Sequence, residues 1–221
     1  MIKYKNLYLV GTSHISKESV KEVEKTIDNV KPKLIALELD KSRFALLKNK
    51  QITRFNLLNI KRLGFKVFLL NLLGAWLEKR LGKKVGTEPG AEMKKAIDLS
   101  SKLKLDIYLI DQEIKYTLNR FLSKITRKEK FQFIKDLIIG ESDYKLDLSK
   151  KPSQKEIESI INKLKFKYPT FYTIIVKERN EFMARNLYKL MKSNPTKNIV
   201  SVVGAGHEKA IIGEIKLLEK I

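Results

Sequence analysis

The sequence predicts an α/β fold, with an α+β variant as its second form, built on a mainly parallel sheet of about four core strands and carrying a large helical insertion. Three observations lead there. Four short apolar runs, NLYLV, KLIALEL, DIYLI and NIVSVV, are bounded by turn residues. Segments with apolar residues at three- and four-residue spacing lie between them. The runs close in glycine or acidic corners, as strands do when helices carry the chain back across a parallel sheet.

The first run, Asn6 to Val10, ends in Gly11-Thr-Ser-His14, and the apolar stretch before Gly11 is too short for a signal peptide. Ser16 to Val30 then places Val20, Val23 and Ile27 on one helical face, with Ser16 as N-cap and Glu18 in the first turn. Pro32 ends that helix, and Lys33 to Leu39 is a second buried strand whose end carries Glu38 and Asp40. Strand, helix and strand in this order predict a right-handed parallel unit. From Lys41 the pattern is helical and strongly apolar, a helical insertion placed at roughly 41–85. The turn GTEPG leads into a helix over 91–103, and Asp106 to Ile110 is a third strand, closing at Asp111. A mainly helical segment fills roughly 115–190, with breaks near Gly140, at 150–153 and at Pro169. Asn198 to Val203 is the fourth strand, ending in Gly204-Ala-Gly206-His207 before a last helix. Residues 1–221 read as a single domain.

Composition narrows the function. The chain has no cysteine, so thiolate nucleophiles, disulfides and Cys-held metals are excluded, and any metal must use His, Asp or Glu. The formal charge of +21 invites nucleic acid. The lysines are spread over all the helical segments instead of forming a stripe interleaved with aromatics, so no specific nucleic-acid partner is expected. The longest apolar stretch, Val67 to Leu77, falls short of the roughly 20 residues that span a bilayer. A cytoplasmic location is expected.

The two histidines are His14 and His207, each closing a Gly-x-x-His corner at the end of a strand. A lone histidine there is usually a hydrogen-bonding turn residue, whereas both on matching corners mark a site. Ligands of an open parallel sheet bind beyond the carboxyl ends of its strands, where Glu38 and Asp111 also stand. Two imidazoles and a carboxylate suit a divalent metal with positions left for water or substrate, and equally suit a metal-free general base and substrate binder. The glycines are expected to give positive φ or close backbone approach. Arg43 pairs with Glu38 or binds an anionic group, and Glu88 reads first as a cap for the following helix. Arg120, Glu178, Arg179 and Arg185 sit on helices, divided evenly between a solvated face and an inward network.

With these residues in view, the chain resembles the TraB family, the group that includes the pheromone-shutdown protein PrgY. The segments that carry the resemblance are LVGTSHISKESV, KPKLIALELDKSRF, GTEPGAEMKKAI, LIDQEIKYTLNRF, VKERNEFMARNL and VVGAGHEKAI, in order from residue 9 to 210. More distantly it is similar to the Tiki proteases and to erythromycin-esterase and ChaN-like proteins, which implies their fold. The resemblance to Tiki implies a metal-dependent peptidase with His14, His207 and Glu38 as catalytic and metal-binding residues. Manganese, cobalt or zinc is the ion expected. It also raises Arg43 to a catalytic candidate and Arg120, Arg179, Glu88 and Glu178 to substrate-binding ones. Gln112 and Asn180 depart from the arginine and aspartate common in the family. Archaeal members often carry C-terminal membrane helices, so the resemblance implies either a soluble member or the soluble part of a longer form anchored at the cytoplasmic face of the membrane.

Three functions follow as expectations. The first is a metallopeptidase-like hydrolase; the second is a protein that binds and sequesters a pheromone-like peptide without cleaving it. The third makes residues 57–80 a membrane-surface or homodimer element, against the reading of Phe65, Phe68, Leu69, Leu72 and Trp76 as ordinary core.

Overall fold

A computed structural model describes residues 1–13, 17–48, 90–139 and 153–220. The bulk of the expected insertion, the apolar segment 57–80, Glu88 and His14 lie outside the described residues. Among those described, strands β1 (Ile2–Tyr4), β2 (Leu7–Thr12), β3 (Leu34–Leu37), β4 (Asp106–Leu109) and β5 (Ile199–Gly204) form one sheet in the order β1-β2-β5-β3-β4. All pairings are parallel except β1 with β2. The sheet is therefore α/β, as the spacing of the apolar runs predicts.

The four expected strands are all present, and β1 adds a short antiparallel strand at the edge. MIKYKNLYLV reads as one strand, but the chain reverses at Lys5, which takes a positive φ of 50°. Tyr4 then pairs with Leu7. Three residues with alternating exposure give too weak an apolar signal to be seen as a separate strand.

Alternation along the strands sorts the core into two layers. Leu7, Leu9, Leu34, Ala36, Ile199 and Val203 meet Met183, Ala184 and Leu187, together with Ile211, Ile212 and Ile215. These come from the helices named α8 (Glu178–Ser193) and α9 (Glu208–Leu218). On the other face Val10, Ile35, Leu37, Val200 and Val202 meet Val23 and Ile27 of α1 (Lys17–Val30). Met93, Ala96 and Ile97 of α3 (Ala91–Leu103) complete that layer. The strands carry apolar residues on both faces because helices cover both, which is why they read as continuous runs.

The remaining described helices are α2 (Lys41–Lys48), α4 (Ile114–Lys124), α5 (Arg127–Ile139), α6 (Gln154–Lys167) and α7 (Pro169–Phe171). Pro169 stands at the start of α7. Its missing N–H costs nothing there, so the expected break is a helix start. The chain then winds through a π-helical segment, Tyr172–Lys177, directly into α8. A wider turn of this kind shifts side-chain register by one residue and is frequent at functional sites. No helix among the described residues is long and apolar enough to cross a membrane.

Leu187, fully buried between α8 and the sheet, tests this packing. Leu187→Ala is expected to lower stability by about 2–5 kcal/mol, read as a fall in urea midpoint at unchanged slope. A loss under about 1 kcal/mol would mean the layer is not close-packed as described.

Candidate functional site

The carboxyl ends of β2, β5, β3 and β4 gather the polar residues. Glu38 directly follows β3, and its N–H donates to Val202 O at 3.0 Å, which continues the pairing with β5 one residue past the strand. Its Oε2 accepts from the Gly204 N–H at 2.6 Å. The carboxylate is thereby pinned across the end of β5, 4% exposed.

Arg179, on the first turn of α8, reaches this carboxylate from the helical layer. Its Nη2 donates to Glu38 Oε1 and, at 2.7 Å, to Asp111 Oδ2, while Nε donates to Asp111 Oδ1 at 3.1 Å. Nη1 donates to Ile175 O at 3.3 Å, inside the π-helical segment. Burial works against the guanidinium's charge, but the Glu38 and Asp111 carboxylates outweigh it and hold the pKa above its usual value. One cation thus neutralises two buried acids that stand beyond the ends of different strands. Removing only the cation would leave both unpaired, an expensive state.

Arg43 extends the chain of charge outward. It donates through Nε to Asp40 Oδ2 at 2.8 Å and through Nη2 to Asp111. Glu38, which the sequence offered as its partner, belongs to Arg179 instead. Asp40 also accepts from the N–H groups of Ser42 and Arg43 at 2.8 and 3.0 Å, capping α2. Burial raises its pKa, but bonds from Ser42 and then Arg43 bring it down to about 2.

His207 closes the corner after β5, where its N–H donates to Gly204 O at 2.9 Å. Its Nδ1 bonds Asn180 Oδ1 on α8, and its Nε2 lies 3.5 Å from Glu38 Oε1. With Nδ1–H donating to the amide, Nε2 is the nitrogen directed at the carboxylate. That separation matches the roughly 3.4 Å between two ligand atoms of a tetrahedral ion with bonds of about 2.1 Å. Glu38 Oε1 is also the oxygen that accepts from Arg179 Nη2, so an ion held by this pair would share it with the guanidinium. Among the described residues no group of three or more His, Asp or Glu forms a metal-holding set. The third member of the expected trio, His14, lies outside the described residues.

The two corners are interlocked by a residue the sequence reading passed over. Glu208, next after His207 and 2% exposed, accepts the Gly11 N–H at 2.7 Å. A Cβ on Gly11 would collide with that carboxylate. Gly11, Gly204 and Gly206 have no positive φ. At Gly11 the requirement is close approach; at Gly206 a Cβ would meet nothing within 4 Å. The signal for Glu208 was weak, because an acid in a helix's first turn reads as a complement to the helix dipole.

Arg120 and Glu178 pair with each other, at 2.6 and 2.7 Å, on the wall of a cavity of about 800 Å³. The bonds from Arg120 hold the Glu178 carboxyl below its ordinary value. Asp40, Asp111, Tyr116 and Arg185 line the same cavity. Neighbours in sequence, Glu178 and Arg179 thus serve separate networks, and Arg185 stands exposed away from the inner one.

The pattern of a buried glutamate after one strand, an oriented histidine after another and Gly11 beneath the second corner spans the chain, and so does the match to one family, over residues 3–221. The chain belongs to the TraB/PrgY/gumN family. An uncharacterised protein of Methanocaldococcus jannaschii is 41% identical over 222 residues, covering 97% of this chain and 54% of that protein. A TraB domain-containing protein of Homo sapiens is 25% identical over 230 residues, covering 93% of this chain and 61% of its own length. The TraB chain therefore spans little more than half the length of these relatives.

Two outcomes test the site's construction. Gly11→Ala is expected to cost about 1–3 kcal/mol. Combined with Glu208→Ala it is expected to cost at least about 0.5 kcal/mol less than the two changes added together, because the new methyl then occupies the vacated space. Strict additivity in urea unfolding would refute the interlock. For Asp40, the folded value lies below the unfolded one of about 3.9. Its contribution to stability is therefore complete above pH 4 and lost as pH falls towards 2. Carboxyl NMR titration should show that loss, and Arg43→Ala should move the Asp40 midpoint upward.

Proposed function

We propose that this TraB chain is a metal-dependent hydrolase acting on peptides, with His207 and Glu38 at its centre and His14 as the expected third ligand. The observation that carries the reading is the double orientation of His207. Nδ1 is tied to Asn180, and Nε2 is directed at Glu38 Oε1 at 3.5 Å. A histidine with one nitrogen fixed by an outer oxygen and the other facing a carboxylate is built as metal-ligating histidines are. When bound, manganese, cobalt or zinc would polarise the scissile carbonyl and lower the pKa of an attached water.

The chain's own residues supply the rest. Glu38 is held in one orientation by Arg179 and the Gly204 N–H, so the strand end presents a fixed carboxylate. Asn180 is a neutral partner and fixes the imidazole tautomer without adding basicity, which an aspartate there would do. Arg43 is committed to Asp40 and Asp111. Arg120, spending Nε and Nη2 on Glu178, retains Nη1 as a donor for a substrate carboxylate or developing oxyanion at the cavity wall.

A second reading, peptide sequestration without cleavage, is favoured by how completely the inner charges are paired with one another. The two separate on one experiment: metal content of the purified protein under manganese, cobalt and zinc, with peptide-library cleavage. His207→Ala and His14→Ala are expected to lose both metal and cleavage, and Asn180→Asp to shift the pH profile of cleavage upward. Failure to retain any of the three ions, with cleavage indifferent to both histidines, removes the hydrolase reading. Peptide recovered intact but bound supports sequestration.

A further inference from the structure

Among the described residues the sheet ends on β4, which pairs only with β3. Ile110 N donates to Leu37 O at 3.0 Å, which sets the alternation of this parallel ladder. The main-chain groups of Asp106 and Tyr108 and the Ile110 N–H are spent on β3, and those of Ile107 and Leu109 face outward. Among the described residues nothing bonds them. An open edge of this kind accepts a further strand.

Two cavities meet along the edge. One, of about 320 Å³, lies between Tyr108 and the α8 residues Asn186, Lys189 and Leu190. The other is the 800 Å³ cavity beside Asp111 and Arg120, and Leu109 lines both. Asn186 Nδ2 donates to Ile110 O at 3.0 Å and fixes α8 against the end of the strand between them. Arg185 and Lys189, one turn apart on α8, stand exposed, one at each cavity. Neither has an ion-pair partner among the described residues. Glu181, one turn earlier, pairs with Lys177 at 3.8 Å.

We propose that the edge of β4, unpaired among the described residues, binds an extended, acidic peptide as an added strand alongside the acid-free cavity that Lys189 lines. Ile107 and Leu109 give it main-chain hydrogen bonds. Alternate side chains enter the smaller cavity, and acidic ones pair with Lys189 and Arg185. A second copy of the chain fits less well, because antiparallel pairing of two β4 edges would set these cationic ridges of a +21 chain against each other. That the bound strand is substrate rests on the hydrolase reading; that it binds here does not.

The probe is a labelled, end-blocked Glu-Val hexapeptide, offered to the full chain and to His207→Ala so that binding is read without cleavage. Saturation is expected to slow amide exchange at Ile107 and Leu109 and leave Tyr108 unchanged. Affinity should fall roughly tenfold when alternate peptide nitrogens are methylated, by loss of about two hydrogen bonds, and similarly in Arg185→Ala/Lys189→Ala. Leu109→Pro, whose N–H the ladder does not use, should fold and lose the peptide. Three results would overturn the proposal: no protection of the edge amides, equal binding of a Lys-Val hexapeptide, or protection of the same amides by self-association without peptide. Cleavage without edge protection would sink it and leave the hydrolase reading intact; edge protection without cleavage would do the reverse.

Discussion

A guanidinium that reaches carboxylates beyond the ends of two different strands does more than neutralise them. Arg179 joins Glu38, at the end of β3, to Asp111, beyond β4, from a helix in the covering layer. Glu38 in turn holds the turn after β5 through Gly204, and Asp111 holds Arg43 at the start of α2. Both acids are buried, where an unpaired charge is costly, and Arg179 supplies the partner to each. The positions of β3, β5, α2 and α8 at this end of the sheet are consequently conditions on one another, and the orientation of His207 depends on all of them.

The local charge also runs against that of the whole chain. Three buried carboxylates, Glu38, Asp40 and Asp111, face two guanidiniums, Arg43 and Arg179. In a chain of net charge +21 the strand ends thus form a small anionic centre, a suitable environment for a cation. Lysines of the described helices, Lys21, Lys25, Lys115 and Lys192 among them, stand exposed and contribute little to it.

Much of the fold was legible because its strands are covered on both faces and therefore appear as uninterrupted apolar runs. Glu38 and His207 were legible for a related reason: side chains at strand ends are placed by the sheet, whose ladder can be read from sequence. Asp111 was seen at its strand end but ranked below Glu38, since nothing local announces that it shares an arginine. The helical residues were harder. Whether Arg179 turns inward and Arg185 outward depends on the winding of the π-helical segment before them, and no periodicity rule reports a turn that widens by one residue. Arg43, read as pairing with Glu38 or holding an anionic group, meets Asp40, three residues earlier, and Asp111 beyond β4, a meeting that no local spacing announces. Glu208 escaped because the space it needs is created by an absent side chain, at Gly11, nearly the whole length of the chain away.

The widened turn at Tyr172–Lys177 has a further meaning. Phe171, just before it, and Ile174, within its first half, pack with Phe121 in a small apolar cluster of the helical layer. After it, Met183, Ala184 and Leu187 are locked against the sheet. In a uniform α-helix the angle between those two faces would be dictated by the number of residues between them. The π-helical segment acts as an adjustable joint, letting one continuous helix satisfy two cores whose phases disagree while still presenting Glu178, Arg179 and Asn180 to the cleft. Loss of one residue from this stretch would leave both cores compositionally intact and mechanically incompatible.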